Sequence, residues 1–188
     1  DSYVDGTNPN ANYGTLPKLI TSSAGPRNAY LRFDATSVSG QITHAELRLY
    51  AINASTVGHA GRGVASNGWG ETTITYNNAP AFGAIAGMSG AYSANSWTIV
   101  DVTSAVTGGG QVSLAVTSID PNLITLFSRE LFNNTPELRI TFTGSSPTAT
   151  PTSAASATPS AAPTATRTPT ATATRTPTAT ATRTPTAT

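Results

Sequence analysis

Few side chains in this sequence could carry out catalysis. Its 188 residues include nine acids, two histidines and no cysteine. Hydrolysis needs an activated nucleophile or a suitably spaced carboxylate pair, and the sequence contains no Gly-x-Ser-x-Gly motif. His44 and Glu46 would lie roughly 7 Å apart on one strand face, where zinc would need a third ligand from a neighbouring strand. We therefore predict a non-enzymatic protein without a cofactor, in which His44 and Glu46 lie on a solvated face.

Carbohydrate binding has more candidate residues. Aromatic rings stack on pyranose faces, and a few polar groups fix the orientation of the sugar. Tyr50 points outward if its strand alternates as the pattern indicates, and Tyr13, Tyr92 and Trp97 lie in or near loops. These four are candidate sugar contacts, and anchoring of loops is the alternative role for the last three.

Side chains with oxygen ligands cluster at the start of the chain. They are Asp1, Asp5, Asn8, Asn10 and Asn12. Calcium prefers such oxygens, but the spacing does not match an EF-hand. Asn and Asp also favour turns. A structural calcium ion and simple turn formation both explain the cluster.

The last 42 residues, 147–188, differ in composition from residues 1–146. They comprise 17 Thr, 12 Ala, 7 Pro, 3 Ser and 3 Arg, which is too little apolar surface to offset chain entropy. The octapeptide Arg-Thr-Pro-Thr-Ala-Thr-Ala-Thr begins at Arg167 and Arg175, and a third copy begins at Arg183. We predict a folded domain over 1–146, followed by an extended tail similar to polyproline II.

Regular threonines in this tail predict covalent glycans. Ser/Thr-rich sequence with proline is typical of O-glycosylated stalks, and an unglycosylated flexible linker is the alternative. Every even-numbered residue from 164 to 188 is threonine. The candidate O-glycosylation sites are Thr164, Thr166, Thr168, Thr170, Thr172, Thr174, Thr176, Thr178, Thr180, Thr182, Thr184, Thr186 and Thr188.

Charge and hydropathy exclude two classes of partner. Only 10% of the residues are charged and the net charge is +1, so no dense basic face is available for nucleic acid. No apolar run approaches the roughly 18 residues of a membrane span.

The elements that position these side chains are strands. Apolar and polar residues alternate over 29–34, 44–51, 112–116 and 137–142, which is typical of antiparallel sheets with one buried and one wet face. A short helix is expected over Asp101–Thr107 with Thr103 as its N-cap. Together these elements predict an all-β antiparallel sandwich similar to a jelly roll. Further strands are expected at Tyr3–Asp5, Lys18–Thr21, Thr72–Tyr76, Ser96–Val100 and Leu123–Ser128.

Nine short phrases occur in register over about residues 1–143. They are Tyr3-Val4-Asp5, Asn12-Tyr13-Gly14, Ala29-Tyr30-Leu31-Arg32-Phe33-Asp34, Ala45-Glu46-Leu47-Arg48-Leu49-Tyr50, Trp69-Gly70-Glu71, Ile74-Thr75-Tyr76-Asn77-Asn78-Ala79-Pro80, Asp101-Val102-Thr103, Phe127-Ser128-Arg129-Glu130 and Pro136-Glu137-Leu138-Arg139-Ile140. In this set the chain resembles the DNRLRE domain family, which is similar to carbohydrate-binding modules related to the disaggregatase repeat.

The resemblance implies a secreted β-sandwich attached to cell-surface proteins or to polysaccharide-degrading enzymes. Some members resemble binders of acidic polysaccharides that use basic side chains. The corresponding candidates here are Lys18, Arg27, Arg32 and Arg48, a small number for such a ligand.

Two functional interpretations follow for an extracellular, secreted or cell-surface protein. The first is a structural subunit that self-associates into a glycosylated fibre, or joins a neighbouring cell-surface domain, with the tail as rod or connector. The alternative is a carbohydrate-binding module with a polysaccharide ligand, tethered by a flexible linker.

Overall fold

The structure is a computed structural model that describes residues 1–144. In this range, ten strands form two antiparallel sheets, and two one-turn 3-10 helices connect strands. This architecture confirms the all-β sandwich prediction. No helix there is long and apolar enough to cross a membrane. The predictions for the tail, including its extended conformation and the glycosylation of its threonines, lie outside the described residues.

Most strands that follow one another along the chain lie in opposite sheets. The strands are β1 (Ser2–Asp5), β2 (Lys18–Thr21), β3 (Arg27–Asp34), β4 (Gln41–Ala51), β5 (Ala60–Val64), β6 (Phe82–Met88), β7 (Ser96–Asp101), β8 (Gln111–Thr117), β9 (Ile124–Phe127) and β10 (Glu137–Thr143). Sheet I has the strand order β1-β3-β8-β5-β6, and sheet II has the order β10-β4-β9-β2, with β7 also paired to β4. The consecutive strands β5 and β6 share sheet I, and β9 and β10 share sheet II. The 3-10 helices are Thr103–Ala105 and Arg129–Leu131.

The main core lies between the sheets and follows the predicted alternation. In β4, Leu47 and Leu49 are fully buried, while their neighbours on the opposite face are partly exposed. Leu31, Phe33 and Leu114 of sheet I pack into the same core. Burial of such side chains contributes about 1.5–3 kcal/mol each to the free energy of unfolding.

The outer face of sheet I is covered by the segment 65–81. The alternation over 29–34 places Tyr30 and Arg32 on this face, so the expectation that it is wet is wrong for these two residues. Trp69 and Ile74 from this segment form a second buried cluster with Val4 and Tyr30. The Tyr30 hydroxyl donates to the carbonyl of residue 80, and Arg32 donates to the Trp69 carbonyl. The segment thus replaces water over the sheet.

Two local predictions also fail. The expected strand Thr72–Tyr76 is a turn, in which the Ile74 amide donates to the Gly70 carbonyl. The expected helix over Asp101–Thr107 is reduced to a single 3-10 turn, because Asp101 belongs to β7. Thr103 is not an N-cap, since its hydroxyl donates to Asp101 and accepts from the Ala45 amide.

Candidate functional site

The outer face of sheet II carries a row of side chains that crosses four adjacent strands. Ala51 of β4 pairs with both β7 and β9, so these two strands lie on opposite sides of β4. The strand registers align Lys18, Phe127, Tyr50 and Trp97 side by side on β2, β9, β4 and β7. Because strands lie about 4.8 Å apart, the row is about 14 Å long.

Three members of this row, Tyr50, Trp97 and Phe127, form what we call the aromatic platform. The Tyr50 ring packs edge-to-face on Trp97, with 5.5 Å between ring centroids, and lies 5.1 Å from Phe127 at a tilt of 39°. The Tyr50 hydroxyl donates to the Asn95 carbonyl at 2.8 Å. All three rings are partly exposed. They therefore form one fixed apolar surface with ring faces at different angles.

Arg48 extends this platform into the next row of the sheet. Its guanidinium carbon lies 4.7 Å from the centre of the Trp97 ring, and its Nη1 donates to Glu137 at 2.7 Å. Arg139 shares the same carboxylate, at 3.0 Å, and is 43% exposed. The neighbouring Ile99 side chain is 48% exposed. This row places hydrogen-bonding groups and an exposed apolar side chain next to the rings.

Positive and negative side chains on this face are equal in number. The outward cations are Lys18, Arg48 and Arg139, and the outward anions are Glu46, Asp101 and Glu137. Hydrogen bonds from the Thr103 hydroxyl and amide lower the pKa of Asp101, so it stays anionic. Lys18 forms no ion pair with any described residue. These six side chains together carry no net charge.

The structure separates the other candidate sugar contacts from this face. Tyr13 stacks on Tyr3 with ring centroids 4.3 Å apart and packs against the core. Arg27 forms an ion pair with Asp5 at 2.9 Å. Arg32 lies with its guanidinium over the Trp69 ring, beneath the segment 65–81. These side chains have structural partners within the chain.

Tyr92 lines a cleft of about 540 Å³ at a different part of the sandwich. Its ring packs edge-on against His59, and Asp120 and Asn122 lie in the same lining. Another concavity of about 590 Å³ contains Phe82, and no described residue that lines it is charged. Neither concavity combines several exposed rings with hydrogen-bonding groups, as the outer face of sheet II does.

The predicted metal ligands are also distributed differently in the structure. His44 contacts Glu46 at 3.1 Å and Thr103 at 3.3 Å on the outer face of sheet II. Asn12 donates to the carbonyls of Glu71 and Ile74. Asp5 bonds to Thr7 and Arg27, and Asn10 to Asn77. Asn8 donates to Thr7. Within residues 1–144, the one acidic group with metal-ligand spacing is Asp1, Glu71 and Glu130.

Comparison with known protein families identifies a carbohydrate-binding module. Residues 1–142 match carbohydrate-binding module family 96. The chain belongs to this family. The implied likeness to carbohydrate-binding modules is thereby confirmed, whereas the narrower DNRLRE assignment stays a prediction. Family 96 membership supports the alternative interpretation, a binding module, over the first one, a fibre subunit.

One curated relative of this family 96 chain is a gellan lyase from Bacillus sp. The two are 39% identical over 82 residues, which cover 39% of this chain and 3% of the lyase. The chain thus spans a small fraction of the relative's length.

Sequence reasoning found part of the outer face and missed the rest. The candidate sugar contacts from the sequence included four residues that the structure brings together on this face, namely Tyr50, Trp97, Arg48 and Lys18. Phe127 was not among these candidates, although the alternation with the buried Ile124 and Leu126 predicts that its side chain points outward. The missing information was strand order, which alone shows that Phe127 lies between Lys18 and Tyr50.

Proposed function

We propose that this module binds a polysaccharide chain on the outer face of sheet II, with the aromatic platform as its centre. The observation that carries the proposal is the row of three partly exposed rings beside Arg48 in a member of carbohydrate-binding module family 96. A row about 14 Å long can contact more than one sugar ring. The rings provide apolar contact with pyranose faces, and Arg48, Arg139 and Glu137 fix orientation through hydrogen bonds.

The equal numbers of positive and negative side chains on this face predict that ligand binding depends little on the charge of the polysaccharide. Three cations and three anions provide little net attraction for a polyanion. We therefore expect binding to depend on ring contacts and to weaken less than about threefold between 50 and 500 mM NaCl, since screening acts mainly on net charge. Isothermal titration calorimetry at the two salt concentrations measures this, and a loss of tenfold or more would contradict it.

Substitution of Trp97 tests the proposed platform. Gellan is the first ligand to try, because a relative is a gellan lyase; a panel of neutral and acidic polysaccharides follows, with and without calcium. We expect Trp97→Ala to weaken binding about tenfold, which corresponds to about 1.4 kcal/mol. Phe132→Ala is the matched control, since Phe132 is 91% exposed and lies outside the platform. Equal losses in both variants, or no binding to any polysaccharide, would overturn the proposal.

The setting that we propose is extracellular. Residues 147–188 would act as a glycosylated or flexible connector between this module and a cell-surface or polysaccharide-degrading neighbour. The threonine alternation of the tail favours a second candidate function, a subunit of a glycosylated fibre. Electron microscopy and intact mass of source-purified protein test it: filaments with excess hexose mass would support the fibre, and monomers at the bare polypeptide mass would contradict it.

A further inference from the structure

Three carboxylates from distant parts of the chain converge beside strand β1. Asp1 precedes β1, Glu71 lies in the segment 65–81, and Glu130 lies in the 3-10 helix between β9 and β10. One oxygen from each lies within 4.8 Å of the other two. Like charges so close repel one another unless cations offset them.

One guanidinium, that of Arg129, offsets part of this charge. Arg129 Nη2 and the Asp1 backbone nitrogen both contact Glu71. Arg129 Nε also contacts Glu130 at 3.1 Å, and Glu130 accepts from the Ser128 hydroxyl. Three carboxylates against one guanidinium leave the cluster with an excess of negative charge, and Glu71 and Glu130 have more hydrogen-bond donors than Asp1 has.

Asp1 is the carboxylate of the three that has an oxygen without a partner. The residue is 2% exposed, and its Oδ2 accepts from the Arg129 amide at 3.2 Å. Its Oδ1 is buried and has no hydrogen-bond partner among the described residues. Within residues 1–144, no other carboxylate oxygen is both buried and without a hydrogen-bond partner. Burial of a charged oxygen without a partner is costly.

We propose that Asp1, Glu71 and Glu130 bind a calcium ion that contacts the buried Asp1 Oδ1. The group offers oxygen ligands alone, without His or Cys, and such hard ligands suit calcium better than zinc. Calcium also accepts an irregular set of ligands more readily than magnesium, which demands near-octahedral geometry and retains its waters. The ion supplies the positive charge that the cluster lacks.

Calcium at this position has a structural consequence. It joins three segments whose ligands are at least 59 residues apart in sequence, and one of these segments covers sheet I. A ligand that binds only the folded state raises the stability of that state. The ion therefore clamps the covering segment to the sandwich, away from the proposed sugar-binding face.

The test is calcium binding and thermal unfolding of the full chain after treatment with a chelator. We expect calorimetry to show one calcium per chain, and saturating CaCl₂ to raise Tm by about 5 °C or more. MgCl₂ at equal ionic strength should have less than half this effect. Absence of both calcium binding and a Tm shift at millimolar calcium would overturn the proposal, whatever the result of the sugar screen.

Matched variants locate the ion. Asp1→Asn and Glu130→Gln should each weaken calcium binding at least tenfold, and Glu46→Gln, on the outer face of sheet II, should leave it unchanged. The Glu130 side chain is 26% exposed, so its variant is expected to fold even if Asp1→Asn does not. Unchanged calcium affinity in folded Glu130→Gln would place the ion elsewhere and overturn the assignment.

Discussion

Individual side chains in this module obtain their roles from neighbours rather than from their type. Arg48 and Arg32 are both strand arginines placed over a tryptophan ring. Arg48 lies on the partly exposed face of sheet II and pairs with Glu137, so it can contact a ligand. Arg32 donates to backbone carbonyls of the covering segment, so its role is structural. Substitution of Arg32 should therefore reduce stability rather than sugar affinity.

The two histidines differ in the same way, and His59 gives a pH prediction. Burial lowers the pKa of His59 from 6.5 to about 4; its Nε2 lies 3.2 Å from the Thr98 hydroxyl. The unfolded chain takes up this proton below pH 6.5, whereas the folded chain resists it until pH 4. Neutral His59 therefore makes its full contribution to the free energy of unfolding above pH 6.5. This contribution, about 3 kcal/mol in total, is lost as the pH falls from 6.5 through 4.

Urea unfolding from pH 7.5 to 4 measures this effect in variants. We expect His59→Gln to have a lower free energy of unfolding at pH 7.5 and a flatter dependence on pH than the parent chain. His44→Gln is the control, because the His44 side chain is 45% exposed. If the parent and His59→Gln lose the same free energy between pH 6.5 and 4, His59 is not the group responsible.

At the scale of elements, alternation predicted strands well where one face is buried. The fully buried Leu47, Leu49, Leu138 and Ile140 follow the period-two pattern, and most strand bounds agree within one or two residues. Strands β5 and β6 have the sequences AGRGV and FGAIAGM, in which glycine and alanine give little hydrophobic contrast. Their pairing is set by neighbours distant in sequence, so local pattern did not indicate them.

The covering segment 65–81 could not be predicted for a related reason. Its contacts are long-range: Asn12 donates to the carbonyls of Glu71 and Ile74, and the Asn77 amide donates to the carbonyl of residue 9. No periodicity marks such a segment. It reverses the expected exposure of Tyr30, whereas sheet II keeps the partly exposed face that alternation predicts.

Close approach between the segment 65–81 and the N-terminal loop gives a test of this cover. A Cβ added at Gly14 would lie 2.1 Å from the Glu71 carbonyl oxygen. We expect Gly14→Ala to lower the free energy of unfolding by about 1–3 kcal/mol, because backbone atoms must move to admit the methyl group. Gly108→Ala is the matched control, since a Cβ there has no described atom within 4 Å. Equal stability of the two variants in urea would contradict the close contact.

At the scale of the whole molecule, the proposed binding face and both buried clusters lie within residues 1–144. The family match ends at residue 142, close to the composition change at residue 147. We therefore expect a chain of residues 1–146 to fold alone, with Tm within about 3 °C of the full chain. Its affinity for the polysaccharide that the full chain binds should agree within about twofold, because residues 147–188 contain no aromatic side chain to stack on sugar.

Parallel calorimetry and thermal unfolding of the two chains measure the affinity and the Tm. A large loss of affinity with Tm unchanged would show that the tail contributes to binding, and a large fall in Tm would show that the folded unit extends beyond residue 146.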